Sequence, residues 1–289
     1  MQSNNPVFRR SEAFNGAGAT AYGNQTYPGN GAAYPGYGQQ TPSGYDQQYA
    51  PTGAGERMTI DSVVQKTGLS LAIVFLTAAV TWFMTGDIRT SEDNLGTLYL
   101  ALMVGSFGAF GLSMVNSFKR VVSPPLVIAF AALEGVALGA FSKLIDAMFV
   151  NESGLGNNLV LQAVIGTFAA FAGTLAAYKF FEIKVGQKFR TFVIAAMFGM
   201  VALGLLEFVL GMFGNAIGFL GFGGLGLLFS VAGLVLGVFM LILDFDFVEQ
   251  GIAAGIEERE SWRAAFAITV SLVWIYTNLL RILAILQQD

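Results

Sequence analysis

Residues 222–246 read FGGLGLLFSVAGLVLGVFMLILDFD, and no charged side chain precedes Asp244 in this stretch. A helix rises 1.5 Å per residue, so about 20 apolar residues cross the roughly 30 Å of bilayer hydrocarbon. The stretch exceeds the roughly 9–11 residues of a barrel strand, and its polar and apolar residues do not alternate. It therefore indicates a membrane-spanning α-helix.

Six other apolar runs of similar length lie after Lys66, so the chain has seven such runs when residues 222–246 are included. We place them at approximately 67–85, 95–115, 125–149, 156–178, 190–213, 222–246 and 264–286. The predicted fold class is an all-α integral membrane protein, with a bundle of seven transmembrane helices in residues 58–289.

Residues 1–57 differ in composition from the rest of the chain. They hold six of the nine Tyr and five of the seven Pro residues, with no Leu or Ile. Such a segment buries too little aliphatic surface to offset the entropy of ordering. We predict a disordered cytoplasmic tail, rich in Tyr, Gly, Pro and Gln.

The composition of the chain excludes many kinds of site. It is 54% hydrophobic and 12% charged, whereas a soluble domain is about 25% charged. Without Cys or His, thiolate metal sites, the usual zinc centres and Ser-His-Asp triads are excluded. The net charge of -4 provides no basic field for nucleic acid. We predict no enzyme, no cofactor, no stable metal site and no nucleic-acid partner.

The Lys and Arg residues predict the orientation. With the N-terminus in the cytoplasm, twelve of the fifteen fall in cytoplasmic segments, as the positive-inside rule requires. Seven spans then place the C-terminus outside, unless the last run is re-entrant. We expect a multi-pass protein of the cell membrane.

Four acids lie within the predicted spans: Glu134, Glu207, Asp244 and Asp246. A carboxylate near the bilayer centre costs on the order of 2.5–3.5 kcal/mol, so these side chains should face protein or water. Glu134 lies roughly 14 Å and Glu207 roughly 25 Å above the inner boundary. This spread predicts an ion pathway or a proton-sensing route, whereas the alternative for both glutamates is a structural hydrogen bond.

Asp244 and Asp246 cannot both face one cavity, because residues two positions apart on a helix are separated by about 200° of rotation. We expect Asp244 to face the interior and Asp246 to contact water or headgroups. The alternative for Asp244 is an ordinary helix end at the interface.

Arg281 and two glycine pairs complete the predicted features. Arg281 is either a buried counter-ion to one of the acids or a side chain that snorkels to the outer headgroups. Gly135 with Gly139, and Gly214 with Gly218, form GxxxG patterns that predict close helix packing.

Three stretches of the chain resemble the Bax inhibitor-1 family. Residues 123–139, SPPLVIAFAALEGVALG, resemble its third-helix signature. The end of the sixth run, residues 243–246, and residues 278–283, NLLRIL, resemble its C-terminal half. The resemblance covers roughly residues 60–289, and the tail outside it indicates a bacterial branch with an N-terminal extension.

The resemblance implies a seven-helix bundle with the last helix at its centre, and a calcium leak across the membrane. It also implies pH sensitivity through an aspartate pair that links the sixth and seventh helices. Asp244 matches the first of these aspartates, whereas the second falls on or next to Trp274. The second acid is therefore missing.

The sequence thus supports two functions. The first is a pH-sensitive passive leak channel for a cation, Ca²⁺ in particular, whose carboxylates bind the ion or the protons that compete with it. The alternative is a non-transporting membrane scaffold or stress regulator that acts through membrane-protein partners.

Overall fold

A computed structural model describes residues 56–88, 92–149 and 158–287. Residues 1–55, which form nearly all of the predicted tail, lie outside the described residues. The described residues belong to one compact unit of the chain, Pro51–Asp289.

Seven long helices form the described fold, and each is long and apolar enough to cross a membrane. They are α1 Ile60–Met84, α2 Glu92–Phe118, α3 Pro124–Phe149, α4 Leu159–Phe180, α5 Gln187–Met212, α6 Gly224–Ala253 and α7 Ser261–Leu286. The predicted all-α fold with seven spans is confirmed. Several helices extend beyond the predicted runs: α1 begins at Ile60 rather than 67, α2 covers Glu92–Phe118 rather than 95–115, and α6 ends at Ala253 rather than 246.

The start of α1 is fixed by local capping, which hydropathy alone does not detect. The Ser62 backbone N–H donates to Thr59 Oγ1, and the Thr59 backbone N–H donates to Ser62 Oγ, each at 3.1 Å. This capping box satisfies donors that the first helical turn leaves free. α1 therefore includes polar residues that precede its apolar run.

Helix α7 lies at the centre of the bundle. It packs against α1, α3, α4 and α6, whereas α5 packs mainly on α6. Within the apolar 18-residue stretch of each span, 56% of the α7 stretch is buried, whereas only 11% of the α5 stretch is buried. The central last helix implied by the family resemblance is therefore present.

Three polar segments meet at one end of the bundle. Lys66 Nζ of α1 lies 2.6 Å from Glu258 Oε1, in the short 3₁₀ turn Glu258–Glu260 that precedes α7. Arg259 Nε donates to the Val122 carbonyl, and an Arg263 Nη2 group donates to the Arg120 carbonyl. The start of α1, the α2–α3 loop and the α6–α7 loop therefore lie together, as alternating spans require. We call this the basic end.

Residues 56–58 attach to the α6–α7 loop at the basic end. The Met58 N–H donates to the Ile256 carbonyl at 2.9 Å, and the Glu258 N–H donates to the Glu56 carbonyl at 2.7 Å. The Met58 side chain is buried in a cluster that includes Leu241 and Leu272. We call this pairing of residues 56–58 with 256–258 the N-terminal latch.

The two glycine pairs have different roles in the structure. A side chain at Gly135 or Gly139 would overlap the carbonyl oxygens of Val74 or Ala78, so α3 packs there directly on the α1 backbone. Gly214 and Gly218 do not form a packing pair. They lie in the α5–α6 loop with φ of 76° and 105°, where no atom is near enough to contact an added Cβ.

Candidate functional site

A polar contact joins α6 to α7 within the apolar part of both helices. Ser271 Oγ donates to Asp244 Oδ2 at 2.6 Å. The two residues lie at equal separations on either side of the α6–α7 loop, so an antiparallel helix pair brings them opposite one another. Asp244 thus faces the central helix, as the sequence predicted.

Ser271, rather than Trp274, lies opposite Asp244. Trp274, on or next to which the family resemblance places the second acid, instead donates its indole N–H to the Gly233 carbonyl at 2.8 Å. Gly233 lies 11 residues before Asp244, or about 16 Å along the helix. A neutral hydroxyl therefore faces Asp244. The signal that could have identified it is spacing, because Asp244 lies nine residues before the end of α6 and Ser271 ten residues after the start of α7.

Asp246 differs from its predicted environment. It is 6% exposed, and its Oδ2 accepts from Arg190 Nη2 of α5 at 2.8 Å and from Gln250 Nε2 at 2.7 Å. The expectation that Asp246 contacts water or headgroups is wrong, because α5 brings a guanidinium group against that side of α6. The sequence indicates only that Arg190 lies in a cytoplasmic segment, so its contact with Asp246 was not predicted.

Glu134 lies half-buried on α3. It follows Phe130 by four residues and so shares its helix face, and the Phe130 ring packs on Phe266 of α7 with centroids 4.9 Å apart. Glu134 has no hydrogen-bond or ion-pair partner among the described residues. Its carboxylate is therefore placed on the side of α3 that faces the central helix.

Glu134 and Asp244 lie at similar depths. Glu134 is ten residues from the start of α3, and Asp244 is nine residues from the end of α6. At 1.5 Å per residue, both are about 14–15 Å from helix ends that lie on the basic side of the bundle. The two carboxylates therefore flank α7 from different helices at comparable depth.

Glu207 has a structural environment at the opposite end. Its carboxylate accepts the Ile217 N–H at 2.9 Å and the Gly218 N–H at 2.6 Å, and the residue is 4% exposed. Backbone N–H groups that are buried away from water need such partners. These contacts match the alternative stated for Glu207, a structural hydrogen bond. They join Glu207 to a loop rather than to another helix.

Arg281 binds the same α5–α6 loop from the other side. Its Nη2 donates to the carbonyls of Phe219 at 2.9 Å and Gly221 at 3.1 Å, and the residue is 8% exposed. Within the described residues it makes no ion pair. Both sequence interpretations of Arg281, as a counter-ion and as a snorkelling side chain, are therefore wrong.

The four acids do not converge on one centre. Asp246 binds Arg190, Glu207 binds loop backbone, and Asp244 binds Ser271. In residues 56–88, 92–149 and 158–287, no group of three or more acidic side chains is placed to hold a metal ion. The candidate site therefore reduces to Asp244, Ser271 and Glu134 around α7.

A family model described as Bax inhibitor 1 like matches residues 5–288. The chain belongs to this family. The match begins at residue 5 rather than near 60, so most of the tail lies within the matched region, contrary to the expectation that it lies outside the family pattern. Among curated proteins, none matches the chain.

Membership of the Bax inhibitor 1 like family gives the coarse function. With seven membrane-competent helices, the chain is an integral multi-pass membrane protein that contacts the lipid bilayer. The family is associated with calcium leak channel activity.

Proposed function

We propose that this protein is a passive cation leak channel of the cell membrane, with Ca²⁺ as its ion and with sensitivity to pH. The observation that supports the proposal most strongly is the Asp244–Ser271 hydrogen bond of 2.6 Å between α6 and α7. Carboxylates within spanning helices are costly and rare, and they commonly mark ion or proton pathways.

The position of α7 suggests how such a leak is controlled. Asp244 on α6 and Glu134 on α3 approach this helix from two sides, and Ca²⁺ takes oxygen ligands of this kind. Protons compete with the cation for the same carboxylate oxygens, which gives the proposed pH dependence. The Ser271 hydroxyl holds one Asp244 oxygen and so limits access to it.

Calcium efflux from liposomes that contain the purified full chain tests this function. Asp244→Asn removes the charge while conserving shape, and we expect efflux to fall several-fold. Ser271→Ala frees the Asp244 oxygen, and we expect efflux to rise. The matched control is Glu207→Gln, which neutralises a buried acid at the opposite end and should leave efflux unchanged.

The outcomes distinguish a channel from a membrane protein that does not transport ions. Efflux that is unchanged in both Asp244→Asn and Glu134→Gln would overturn the proposal. Wild-type efflux should also change across a pH series, and Asp244→Asn should flatten that response. A response that persists in Asp244→Asn would assign the pH sensitivity to another group.

The second candidate is a membrane scaffold or stress regulator that acts through protein partners. It is favoured by the separate environments of the acids, since Glu207 and Asp246 serve internal contacts. Deletion of residues 1–55 distinguishes the two functions, because it retains the latch. A scaffold that recruits partners through the tail loses its activity, whereas a channel retains its efflux.

A further inference from the structure

A cleft of about 280 Å³ lies between α1 and α4, with α3 and α7 as its floor. Its lining includes Phe75, Ala79, Trp82, Val164, Phe168 and Tyr276. Phe75 and Phe168 stack across it with ring centroids 6.1 Å apart, and each is 45% exposed. The cleft therefore opens on the surface of the bundle within the membrane-spanning region. We call it the α1–α4 cleft.

The hydroxyl groups in the cleft walls are already satisfied. Ser142 Oγ and Tyr276 Oη lie 2.6 Å apart in a hydrogen bond, and Thr167 Oγ1 donates to the Ala163 carbonyl of its own helix at 2.7 Å. Water needs two to four polar partners to occupy a cavity, whereas apolar cavities stay dry and accept apolar ligands. The cleft is therefore suited to hydrocarbon.

The width of the cleft suits a chain that is thinner than a helix. A helix with side chains is about 10–12 Å across, whereas the ring centroids of Phe75 and Phe168 on the two walls lie 6.1 Å apart. A single extended hydrocarbon chain is narrower than a helix of a second copy and fits such a cleft better.

The cleft lies away from the basic end. The N-terminal latch, where the described residues begin, lies at the basic end of α1. The cleft begins at Leu71 and extends to Phe83, about 17–35 Å along α1 from Ile60. It therefore lies in the opposite half of the bilayer, where the lipid leaflet itself covers it.

We propose that the α1–α4 cleft binds one acyl chain of a phospholipid from the leaflet opposite the basic end. Trp82 lies in the cleft wall near the end of α1, where an amphipathic indole suits the headgroup level. The chain packs on Phe75 and Phe168 and reaches Tyr276 on the central helix. This proposal does not depend on ion transport.

Native mass spectrometry of the full chain, extracted from vesicles of palmitoyl-oleoyl-phosphatidylcholine into mild detergent, tests the proposal. We expect a retained adduct of one phospholipid on the wild-type chain. Ala79→Phe places a ring in the cleft and should lower the adduct fraction at least fivefold. The matched control is Ala72→Phe, which adds the same ring at another exposed α1 position outside the cleft lining.

Val164→Phe fills the cleft from the α4 side and keeps the test valid if Ala79→Phe does not fold, as judged by its circular dichroism. A wild-type chain without a phospholipid adduct would overturn the proposal. Equal adduct fractions in all folded variants would overturn it as well. A dimer that is lost in Ala79→Phe, in place of the lipid adduct, would show that a second copy covers the cleft.

Discussion

Glu207 and Arg281 hold the α5–α6 loop from two sides. The carboxylate accepts from the N–H groups of residues 217 and 218, and the guanidinium group donates to the carbonyls of residues 219 and 221. Buried backbone groups of both kinds need partners. Two buried charged side chains are thus explained by the glycine-rich loop that they support, without a role in transport.

Glu207→Ala should destabilise this loop. Two buried N–H groups lose a charged acceptor, and hydrogen bonds to charged groups contribute about 1.5–3 kcal/mol each. We expect faster hydrogen exchange at the Ile217 and Gly218 amides and a lower thermal midpoint. Glu207→Gln retains one acceptor oxygen and should show a smaller effect. Unchanged exchange at both amides in Glu207→Ala would contradict this role.

At the scale of the elements, α3 and α1 pack where Gly135 and Gly139 remove the side chains between them. An added methyl group would meet the α1 backbone at Val74 or Ala78, which is not a flexible side-chain tip. Lipid tails give helices no hydrophobic drive to associate, so close backbone approach contributes the packing energy. The third-helix signature therefore has a packing role, in addition to supplying Glu134.

Gly139→Ala should therefore separate α1 from α3. Overpacking costs about 1–3 kcal/mol, and we expect a lower thermal unfolding midpoint by circular dichroism in detergent. Gly173→Ala on α4 is the control, because no neighbouring atom lies near its added Cβ. Equal midpoints for the two variants would contradict the packing role of Gly139.

The N-terminal latch contains a carboxyl group, that of Glu56, with a shifted pKa. The hydrogen bond with Glu258 and the negative charge of that residue raise the pKa of Glu56 above its ordinary value of 4.5, while Lys66 opposes the shift. Protonated Glu56 therefore favours the latched state. Its contribution is full below the ordinary pKa and is lost as pH rises through the raised pKa.

We expect the protection of the Glu258 amide from hydrogen exchange, corrected for the intrinsic rate, to fall as pH rises through this range. This amide reports on the latch because it donates to the Glu56 carbonyl. Glu56→Gln is neutral at every pH and should give a flat profile. If the variant retains the wild-type profile, the pH dependence comes from another group.

At the scale of the whole molecule, the basic end defines the expected orientation in the cell. In the alternating arrangement of spans, six basic residues belong to segments at the basic end: Lys66, Lys119, Arg120, Lys184, Arg259 and Arg263. The positive-inside rule places such an end in the cytoplasm. The Glu207–Arg281 loop then lies on the outer side.

The orientation is testable because the chain contains no Cys. Asn215→Cys and Lys184→Cys each place a single thiol at an exposed position, at opposite ends of the bundle. A membrane-impermeant maleimide added to intact cells should label Asn215→Cys and spare Lys184→Cys until the cells are lysed. The reverse labelling would place the N-terminus outside.

Hydropathy predicted all seven helices because membrane spanning sets a minimum apolar length, which each run meets by itself. Helix ends were less predictable, since the capping box at Thr59 and Ser62 depends on hydrogen bonds and not on hydropathy. The depth of Glu134 followed from counting residues along a helix. Asp244 lies further from its helix end than predicted, because α6 continues to Ala253. Its partner Ser271 was not predicted, because a partner depends on which helices are neighbours.

The amino-acid sequence by itself determined the number of spans, the basic end and the presence of buried charges, because these depend on local composition and on the 1.5 Å rise of a helix. The tertiary structure decided what each charge does. Helix packing places Arg190 against Asp246, Ser271 against Asp244, and a glycine-rich loop between Glu207 and Arg281. Charges in a medium without water take the polar partners that packing brings within reach, and residues far apart in sequence supply them.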